Sequence, residues 1–380
     1  MNYLQQIGVK ADLEVVDNNR PFFSIVVSCY NSKRTLGAVL ESLCNQELDY
    51  NDLEVIISDD CSTEPYDEIT NQYLDRLNLK FTKTKYNCCP GNTREAGARI
   101  ATGQWLGFSD HDDEFVPNGL SELKKAILST TERYYIVTSF FSTDRNQSFN
   151  KEYKATHSQG WTHGKFYNLD NLWKKYDIHY KKDLLSHEDI YLTSTVLCIL
   201  DFIHHNGEDA GTYFDDLFTY IWYSHPESVS HEIYKGGVNF LEAHFNDYLI
   251  STGYTYIENY HKGIIDFERA KQYVLDTIII VYFYMESFVF CNPNNRIKEN
   301  DIYIERFLEI IKKEFDLTNK AIYMHAATNR ASMYNIGYES AKLAIGGVIP
   351  HLTFSQWLNE ESPEENGTIL SSPFYVEESD

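Results

Sequence analysis

Positive charge is scarce in this sequence of 380 residues. Lys and Arg together number 33 against 56 Asp and Glu, so the formal net charge is −23. A field of that sign repels nucleic acid and anionic membrane surfaces, so we expect no nucleic-acid partner. It also repels a diphosphate, and a ligand of that kind would therefore need a cation held locally.

Paired cysteines are lacking as well. The seven cysteines are odd in number, and no two of them have the C-x-x-C spacing typical of a zinc site. They are Cys29, Cys44, Cys61, Cys88, Cys89, Cys198 and Cys291. This usage predicts reduced thiols in a cytoplasmic protein. No apolar segment follows a basic start at the N-terminus, so no signal peptide is expected.

Long hydrophobic runs are also missing. The longest apolar stretch, residues 277–291, is rich in tyrosine and interrupted by Glu286. It falls short of the ~20 residues that span a bilayer, and it predicts a buried helix, with peripheral membrane association left open. Apolar residues make up 43% of the chain and aromatic residues 15%, so a large core can be buried and global disorder is excluded.

No Gly-x-Gly-x-x-Gly loop follows any apolar run, which disfavours a nicotinamide dehydrogenase. Short β-branched runs instead alternate with stretches of helical periodicity. This alternation is typical of an α/β fold with a mostly parallel sheet flanked by helices. The predicted strands are residues 22–28, 53–58, 79–82, 105–109 and 134–140, and the predicted helices are residues 32–45, 66–77, 91–101 and 117–128.

The pattern changes in the last third of the chain. Strand signals fade, and helical periods dominate in residues 238–250, 267–290 and 303–315. The last twenty-one residues carry seven acids and no Lys or Arg, which predicts a solvated tail. We therefore predict an α/β catalytic domain in residues 1–231, a helical domain in residues 232–359 and an acidic tail in residues 360–380.

Polar side chains directly follow three of the predicted strands. Tyr30 and Asn31 follow the first strand, Asp59 and Asp60 follow the second, and residues 110–113 follow the fourth. In parallel sheets, ligands bind at the carboxyl ends of the strands. We therefore expect these groups to share one edge of the sheet and to form the functional site.

The sharpest of these groups holds four carboxylates within five residues. Asp110, Asp112, Asp113 and Glu114 would repel one another, and a bound divalent cation would relieve that repulsion. Hard carboxylate oxygens select Mg²⁺ or Mn²⁺, which also keep coordination positions open for substrate phosphates. An acidic surface loop is the alternative interpretation.

Three further segments carry candidate groups. Asp59 and Asp60 could accept hydrogen bonds from a base or a ribose, or could form a turn that caps the next helix. Arg94 lies in the first turn of a predicted helix, which suits an anion, although an ordinary capped helix has the same pattern. Asp189, beside Glu188 at another helix start, could be a general base or could serve the helix dipole.

In this order, the segments resemble the family 2 glycosyltransferases of the GT-A fold, a Rossmann-like architecture. The resemblance covers residues 21–231. The motifs that carry it are SCYN at 28–31, SDDCS at 58–62, NCCPGNTREAG at 87–97, ATG at 101–103, DHDD at 110–113, HGKFY at 163–167, HED at 187–189 and WYSHPESVS at 222–230. Cys29, Cys61 and Glu95 depart from the family's Pro, Gly and Asn, which affects the donor contacts and leaves the carboxylates in place.

The resemblance implies roles for individual residues. Donor binding falls to Cys29, Tyr30, Asn31, Asp59, Asp60, Asn87, Arg94, Asp110 and His111. Asp112 and Asp113 would ligate Mn²⁺ or Mg²⁺, with His225 as a further ligand. Trp161 and His163 would bind the acceptor. Asp189, with Glu188 beside it, would deprotonate the acceptor hydroxyl in an inverting displacement.

The resemblance thus predicts an inverting transferase that uses a nucleotide sugar, by analogy a UDP-sugar. Without a Q-x-x-R-W motif or following membrane spans, we expect it to be non-processive. The acceptor stays open between a glycan, a lipid-linked intermediate and a glycoprotein. The helical domain is expected to shape the acceptor site or to form a homo-oligomer contact.

Two other functions compete with this prediction. A sugar nucleotidyltransferase also binds its metal through carboxylates beside a parallel sheet, but it expects a glycine-rich loop after the first strand, where this sequence has CYNSKRT at residues 29–35. A non-catalytic carbohydrate- or protein-binding module on the same fold is the second alternative.

Overall fold

The computed structural model describes residues 20–146, 148–157, 160–182, 184–224, 244–284, 298–319, 321, 322 and 325. The chain divides into two compact units, Met1–Ser228 and Val229–Asp380. His225, the predicted domain boundary at residue 231 and the acidic tail at 360–380 lie outside the described residues. We describe each unit by itself.

The N-terminal unit begins with a parallel half-sheet. Its strands are β1 (Phe23–Cys29), β2 (Leu53–Asp59), β3 (Asn78–Lys83) and β4 (Trp105–Asp110), in the spatial order β3-β2-β1-β4. The connecting helices are α1 (Leu36–Cys44), α2 (Asp67–Thr70) and α3 (Pro90–Ala98). Every residue of β1 and β2 is buried, as β-branched runs covered on both faces require. The predicted strand–helix alternation is confirmed here.

The second half of the sheet is mixed. It contains β5 (Glu114–Phe115), β6 (Tyr135–Thr143), β7 (Asn150–Tyr153), β8 (Lys165–Asn168) and β9 (Thr212–Tyr223). Strand β8 runs antiparallel between β4 and β6, and β9 runs parallel to β6 while pairing antiparallel with β5. Strand β7 pairs antiparallel with β6. The predicted parallel arrangement therefore describes β1 to β4, and the α/β class holds for the whole unit.

The helices of the second half follow the amphipathic pattern. They are α4 (Gly119–Leu128), a π-helical turn (Leu169–Lys174) and α5 (Glu188–His205). In α4 the residues Leu120, Leu123 and Ile127 are buried, at the spacing that places them on one face. The helix predicted over residues 66–77 is shorter than expected: α2 ends at Thr70, and turns follow. Ile69, Thr70 and Asn71 are weak helix formers, which favours that early end.

The amino-terminal edge of the sheet, opposite the polar clusters, is held by the buried side chain of Glu54. Its carboxylate accepts hydrogen bonds from the Ser24 hydroxyl, from the backbone N–H groups of Thr102 at 2.6 Å and Gly103 at 3.2 Å, and from the Thr102 hydroxyl at 2.6 Å. The Lys80 ammonium lies 2.6 Å from Glu54 Oε2. Glu54 thus ties β1, β2 and β3 to the turn that enters β4.

We expect Glu54→Gln to lower the free energy of unfolding by about 3 kcal/mol, because the buried donors lose a charged acceptor. Burial raises the pKa of Glu54, but the bonds from Lys80, Ser24 and Thr102 outweigh it and lower the pKa below 4.5. Glu54 therefore stabilises the fold above that pH, and the contribution is lost as the pH falls through its folded pKa. Urea unfolding at pH 7 and at pH 3 measures both effects.

The matched control is Glu68→Gln on α2, where the carboxylate is exposed and pairs with Lys33 at 3.0 Å. That substitution should leave the urea midpoint unchanged. An equal effect of the two substitutions, or a difference from wild type that does not shrink on acidification, would contradict the assignment of Glu54 as a structural anchor.

The C-terminal unit is helical throughout its described part, as predicted. Helix α6 (Phe245–Leu249) continues through a π-helical turn (Ile250–Tyr254) into α7 (Thr255–His261), and α8 (Phe267–Tyr284) and α9 (Lys298–Glu314) follow. Phe307 of α9 packs against Tyr254 with ring centroids 5.5 Å apart. A Cβ on Gly253 would approach the Phe307 ring to 2.4 Å, so this contact requires glycine. Within the described ranges, none of the helices combines the length and apolar character that crossing a membrane demands.

Candidate functional site

The guanidinium of Arg94 joins two motifs that lie far apart in the sequence. Arg94 is on α3, and it is buried. Its Nη2 donates to Asp110 Oδ1 at the end of β4 over 2.6 Å, and its Nη1 donates to Glu188 Oε1 at the start of α5 over 2.7 Å. The acidic motif and the Glu-Asp motif are thereby brought into one site at the carboxyl edge of the sheet.

Asp110 is held in its ionised form. Its Oδ1 also accepts a hydrogen bond from the Ser28 hydroxyl at 3.0 Å. Burial raises the pKa of Asp110, but Arg94, assisted by His163 and Ser28, outweighs burial and holds the pKa far below its usual range. Asp110 and Arg94 therefore form a fixed ion pair, and Arg94 is already engaged by carboxylates of its own chain.

Asp113 faces the interior of the protein. Its Oδ2 accepts from the Tyr220 hydroxyl at 2.7 Å and its Oδ1 from the Tyr223 backbone N–H at 2.8 Å. Burial, with Asp110 and Asp112 nearby, raises the pKa of Asp113 well above its usual range. The Tyr220 hydroxyl also accepts from the Asp110 backbone N–H at 3.1 Å. Asp113 thus anchors the acidic turn to β9, which leaves it poorly placed for the predicted role as a metal ligand.

The remaining acids of the cluster follow β4 in a partly exposed turn. Arg145 donates to Glu114 Oε1 at 3.1 Å and to the backbone carbonyl of Asp112 at 2.6 Å. His111 Nδ1 lies 2.8 Å from the Thr35 hydroxyl. The expected repulsion among four acids is therefore reduced by two arginines and by the burial of Asp113. Among the described residues, no group of three His, Cys, Asp or Glu side chains is arranged to hold a metal by itself.

A second cluster lies at the ends of β2 and β3. Asp60 accepts hydrogen bonds from Thr84 Oγ1 at 2.9 Å, from Asn87 Nδ2 at 3.0 Å and from the Cys88 backbone N–H at 3.1 Å. Asp59 accepts from the Ser62 N–H at 3.1 Å and pairs with Lys83 at 3.0 Å. Asp60 therefore orders the loop that carries Asn87, in addition to any contact with a ligand.

At the end of β1, Cys29 is directed into the core and the two residues after it lie at the surface. Cys29 is buried, its thiol 3.6 Å from the Val27 carbonyl, and burial raises its pKa to about 12. Its side chain thus belongs to the hydrophobic core. Tyr30 is 46% exposed at the sheet edge. Asn31 takes up a left-handed backbone conformation and accepts from the Thr63 N–H at 3.0 Å, so it fixes the turn after β2.

Asp189 is the second residue of helix α5 and is partly exposed. Glu188, the residue before it, forms an ion pair with Arg94. Asp189 Oδ1 accepts from the Ile190 backbone N–H at 2.8 Å, an orphan donor of the first helical turn. Burial and the Glu188 charge raise the pKa of Asp189 to about 7, although Arg94, that N–H and Lys165 oppose the shift. A carboxylate with this pKa can accept a proton near neutral pH.

The predicted acceptor residues, Trp161 and His163, precede β8 and pack against aromatic side chains of β6, β7 and β9. The His163 ring stacks on Tyr220 with centroids 4.9 Å apart and on Trp222 at 5.7 Å. Trp161 packs edge-on against Tyr153 at 5.1 Å and is partly exposed. Burial lowers the pKa of His163 to about 4, so this ring is neutral at pH 7.

Sequence reasoning gave no role to Tyr220, Lys165, Tyr167 or Tyr180. Tyr220 contacts the acidic turn from more than a hundred residues away, a contact that spacing does not reveal. Lys165 and Tyr167 were visible as part of the HGKFY motif, but a lysine in a short strand predicts an exposed edge. In the structure Lys165 is buried.

The sequence profile of glycosyl transferase family 2 matches residues 24–183, which span β1 through the π-helical turn and carry Arg94 and the whole acidic motif. This segment of the chain belongs to glycosyl transferase family 2.

Two curated relatives illustrate the reach of the family resemblance. The poly(ribitol-phosphate) beta-N-acetylglucosaminyltransferase TarS of Staphylococcus aureus is 36% identical over 92 residues, 24% of this chain and 16% of TarS. The UDP-Glc:alpha-D-GlcNAc-diphosphoundecaprenol beta-1,3-glucosyltransferase WfaP of Escherichia coli is 32% identical over 132 residues, 32% of this chain and 51% of WfaP. The match thus spans about a sixth of TarS and half of WfaP.

Solved structures extend the likeness beyond the matched segment. The crystal structure of S. aureus TarS 1–349 in complex with UDP-GlcNAc superposes with a TM-score of 0.60 at 17% identity, covering 92% of this chain and 90% of that one. At this identity the likeness establishes the fold. The fold is therefore the GT-A fold with a helical C-terminal region, as the motifs predicted.

Proposed function

We propose that this protein is an inverting, non-processive glycosyltransferase that transfers a sugar from a UDP-sugar to a hydroxyl acceptor. The observation that carries the proposal is the double ion pair of Arg94, which fixes the acidic turn after β4 beside the first turn of α5. A metal-binding turn and a general base must lie on either side of the transferred sugar, and Arg94 sets their separation.

The donor would bind along the carboxyl ends of β1, β2 and β4. The exposed ring of Tyr30 would stack on the base, and the segment of Asp59 and Asp60 borders the same edge. In TarS this fold binds UDP-GlcNAc, which supports a UDP-sugar here. The donor-site predictions for Asn87 and His111 are retained, whereas Cys29 contributes its backbone alone.

A divalent cation fits the acidic turn if the donor completes its coordination. Asp112 is the carboxylate of the turn that would ligate it, with Asp110 facing the same edge, while Asp113 is held by β9. When bound, Mn²⁺ or Mg²⁺ would stabilise the negative charge of the departing diphosphate. The protein's part is to present Asp112 on a turn fixed by Arg145, His111 and Tyr220.

The acceptor would enter on the side of Asp189, beside the aromatic cluster of Trp161 and His163. Asp189 would take the proton of the attacking hydroxyl, and the hydroxyl oxygen would displace the diphosphate from the opposite face of the sugar. An aromatic wall suits the apolar face of a sugar ring. A glycan acceptor, free or lipid-linked, is therefore the class that we favour.

The proposal predicts metal-dependent binding of UDP. With UDP at about 100 times its Kd and Mn²⁺ present, the melting temperature should rise by about 5 °C. UDP alone should give a much smaller rise, because its phosphates face a protein of charge −23. Asp112→Asn should abolish the metal-dependent part of the shift.

The control is Asp75→Asn, which also removes one negative charge, but from an exposed turn. It should leave the shift intact. Stabilisation by UDP that is the same with and without Mn²⁺, or that survives Asp112→Asn, would refute the metal site. Equal stabilisation by ADP, GDP and UDP would refute the choice of donor.

A further inference from the structure

The loops that follow β1 and β2 share one buried hydrogen-bond network, and the hydroxyl of Tyr66 lies at its centre. Tyr66 directly precedes α2 and is 9% exposed. Its oxygen accepts from the Ser32 backbone N–H at 3.2 Å and from the Ser32 hydroxyl at 3.1 Å. Ser62 Oγ lies 2.5 Å from the same oxygen. Because the Tyr66 oxygen already accepts from Ser32, its own proton is directed to Ser62.

Ser62 connects this network to the residues on either side of Tyr30. Its Oγ accepts from the Asn31 backbone N–H at 2.8 Å. On the other side of Tyr30, the Cys29 carbonyl accepts from the Asp60 backbone N–H at 2.8 Å. The backbone of Tyr30 is thus tied on both sides to the loop after β2, while its side chain is 46% exposed. The network therefore fixes the backbone that presents this ring relative to Asp60.

Each of the two loops contains a backbone conformation that needs such support. Asn31 has a φ of 47° and Cys61 has a φ of 60°. Left-handed conformations are costly for residues other than glycine, and they persist where the surrounding structure holds them. The Ser62 N–H also donates to Asp59 Oδ1 at 3.1 Å, and its carbonyl accepts from Lys83 Nζ at 3.0 Å. Ser62 thus holds the turn after β2 through its side chain and its backbone.

We propose that Tyr66 is a positioning residue for the nucleoside of the donor: its hydroxyl holds the segments of Tyr30 and Asp60 at the separation that a uridine requires. The inference rests on the proposed function, which places the donor at the carboxyl ends of β1 and β2. Tyr66 is buried and acts through these two loops. The diphosphate and the cation are assigned to the acidic turn after β4. Loss of the Tyr66 hydroxyl therefore weakens binding of the nucleoside and spares that of the phosphates.

The test compares the full-length wild-type protein with Tyr66→Phe, using UDP and inorganic pyrophosphate as probes, each in the presence of Mn²⁺. The substitution keeps the ring and removes the hydroxyl, so Ser32 and Ser62 lose their common partner. The Kd of UDP should rise about tenfold, the effect of one buried hydrogen bond left unmade. The Kd of pyrophosphate should stay within about twofold of wild type, because it engages the acidic turn alone. Isothermal titration calorimetry measures both constants.

Tyr73→Phe is the matched control. Tyr73 is also 9% exposed, and its hydroxyl donates to the Gly37 carbonyl of α1 at 3.0 Å. Both substitutions should lower the urea midpoint, since each removes a hydrogen bond of a largely buried tyrosine. Tyr66→Phe alone should weaken the binding of UDP.

The outcomes separate this inference from the proposed function. If the wild-type protein binds UDP and Tyr66→Phe binds it equally well, the role of Tyr66 is overturned and the donor site stands. If the wild-type protein does not bind UDP, the donor site is wrong and the inference fails with it. Equal losses of affinity for UDP and pyrophosphate in Tyr66→Phe would indicate a general loosening of the unit, which contradicts a role in positioning the nucleoside.

Ser62→Ala covers the case in which Tyr66→Phe does not fold. It removes the atom that accepts from both the Tyr66 hydroxyl and the Asn31 N–H, so the Kd of UDP should again rise about tenfold while that of pyrophosphate is unchanged. The double variant should bind UDP no more weakly than the weaker single variant, because both side chains act through one bond. Unchanged affinity for UDP in Ser62→Ala, or losses that add in the double variant, would overturn the proposal.

Discussion

Replacing Asp189 by asparagine should lower kcat by about 10²- to 10⁴-fold, the usual loss when a general base is removed. The amide has nearly the shape of the carboxylate and can still accept the bond from the Ile190 N–H, so α5 should keep its first turn. What it cannot do is accept the acceptor's proton. The Kd of UDP should therefore remain at the wild-type value.

The pH profile identifies this carboxylate as the source of the effect. The pKa of Asp189 is raised to about 7 by burial and by Glu188. Since the base must be ionised, kcat of the wild-type protein should rise with pH through neutrality, and the residual activity of Asp189→Asn should lack that rise. Steady-state kinetics from pH 5.5 to 9 measure both.

Asp201→Asn is the matched control, because it makes the same change farther along α5, where Asp201 interacts with His205. It should retain wild-type kcat. If Asp189→Asn kept more than a third of the activity, or if both substitutions lowered kcat equally, Asp189 would not be the base.

Replacing Arg94 by methionine should have the largest effect on stability. The substitution removes a buried guanidinium and leaves Asp110 and Glu188 without their common partner. Breaking a buried ion pair by removal of one partner costs about 3–5 kcal/mol, and here two carboxylates are affected. Arg94 holds the pKa of Asp110 low, so that pKa should rise in the variant, which should regain part of its lost stability at acid pH.

Urea unfolding of Arg94→Met at pH 7 and pH 4 measures this prediction. Arg99→Met is the control, because Arg99 is the C-cap residue of the same helix. Its guanidinium is exposed and donates a hydrogen bond to Glu95 Oε1 at 3.0 Å. It should leave the unfolding midpoint unchanged. Equal midpoints for the two variants would show that the buried ion pairs contribute little, and would remove the main support for a fixed geometry of the site.

Much of the architecture was predictable because it depends on local patterns. β-Branched runs and helical periodicity located β1 to β4 and their helices, and the rule that ligands bind at carboxyl ends of strands located the site. Asp110 and Glu188 could be named as candidates from their motifs. That Arg94 connects them could not be predicted, since the resemblance assigned Arg94 to a ligand.

The remaining features depend on distant contacts. The role of Asp113 is decided by Tyr220 and Tyr223 on β9, more than a hundred residues away, and no spacing rule connects them. The antiparallel insertion of β8 between β4 and β6 likewise follows from tertiary packing. The burial of Lys165 contradicts the ordinary preference of lysine for the surface, and only the fold shows what lies beside it.

Arg94 also limits how the sequence can be recombined. It pairs with Asp110 at the end of β4 and with Glu188 at the start of α5. The charge of Glu188 is therefore neutralised by a residue that lies 94 positions earlier in the chain. A chimera that grafts residues from α5 onward onto another relative inherits this requirement. Such a graft keeps its specificity determinants in register only where the recipient supplies an arginine at the position of Arg94 and the insert supplies a glutamate at that of Glu188.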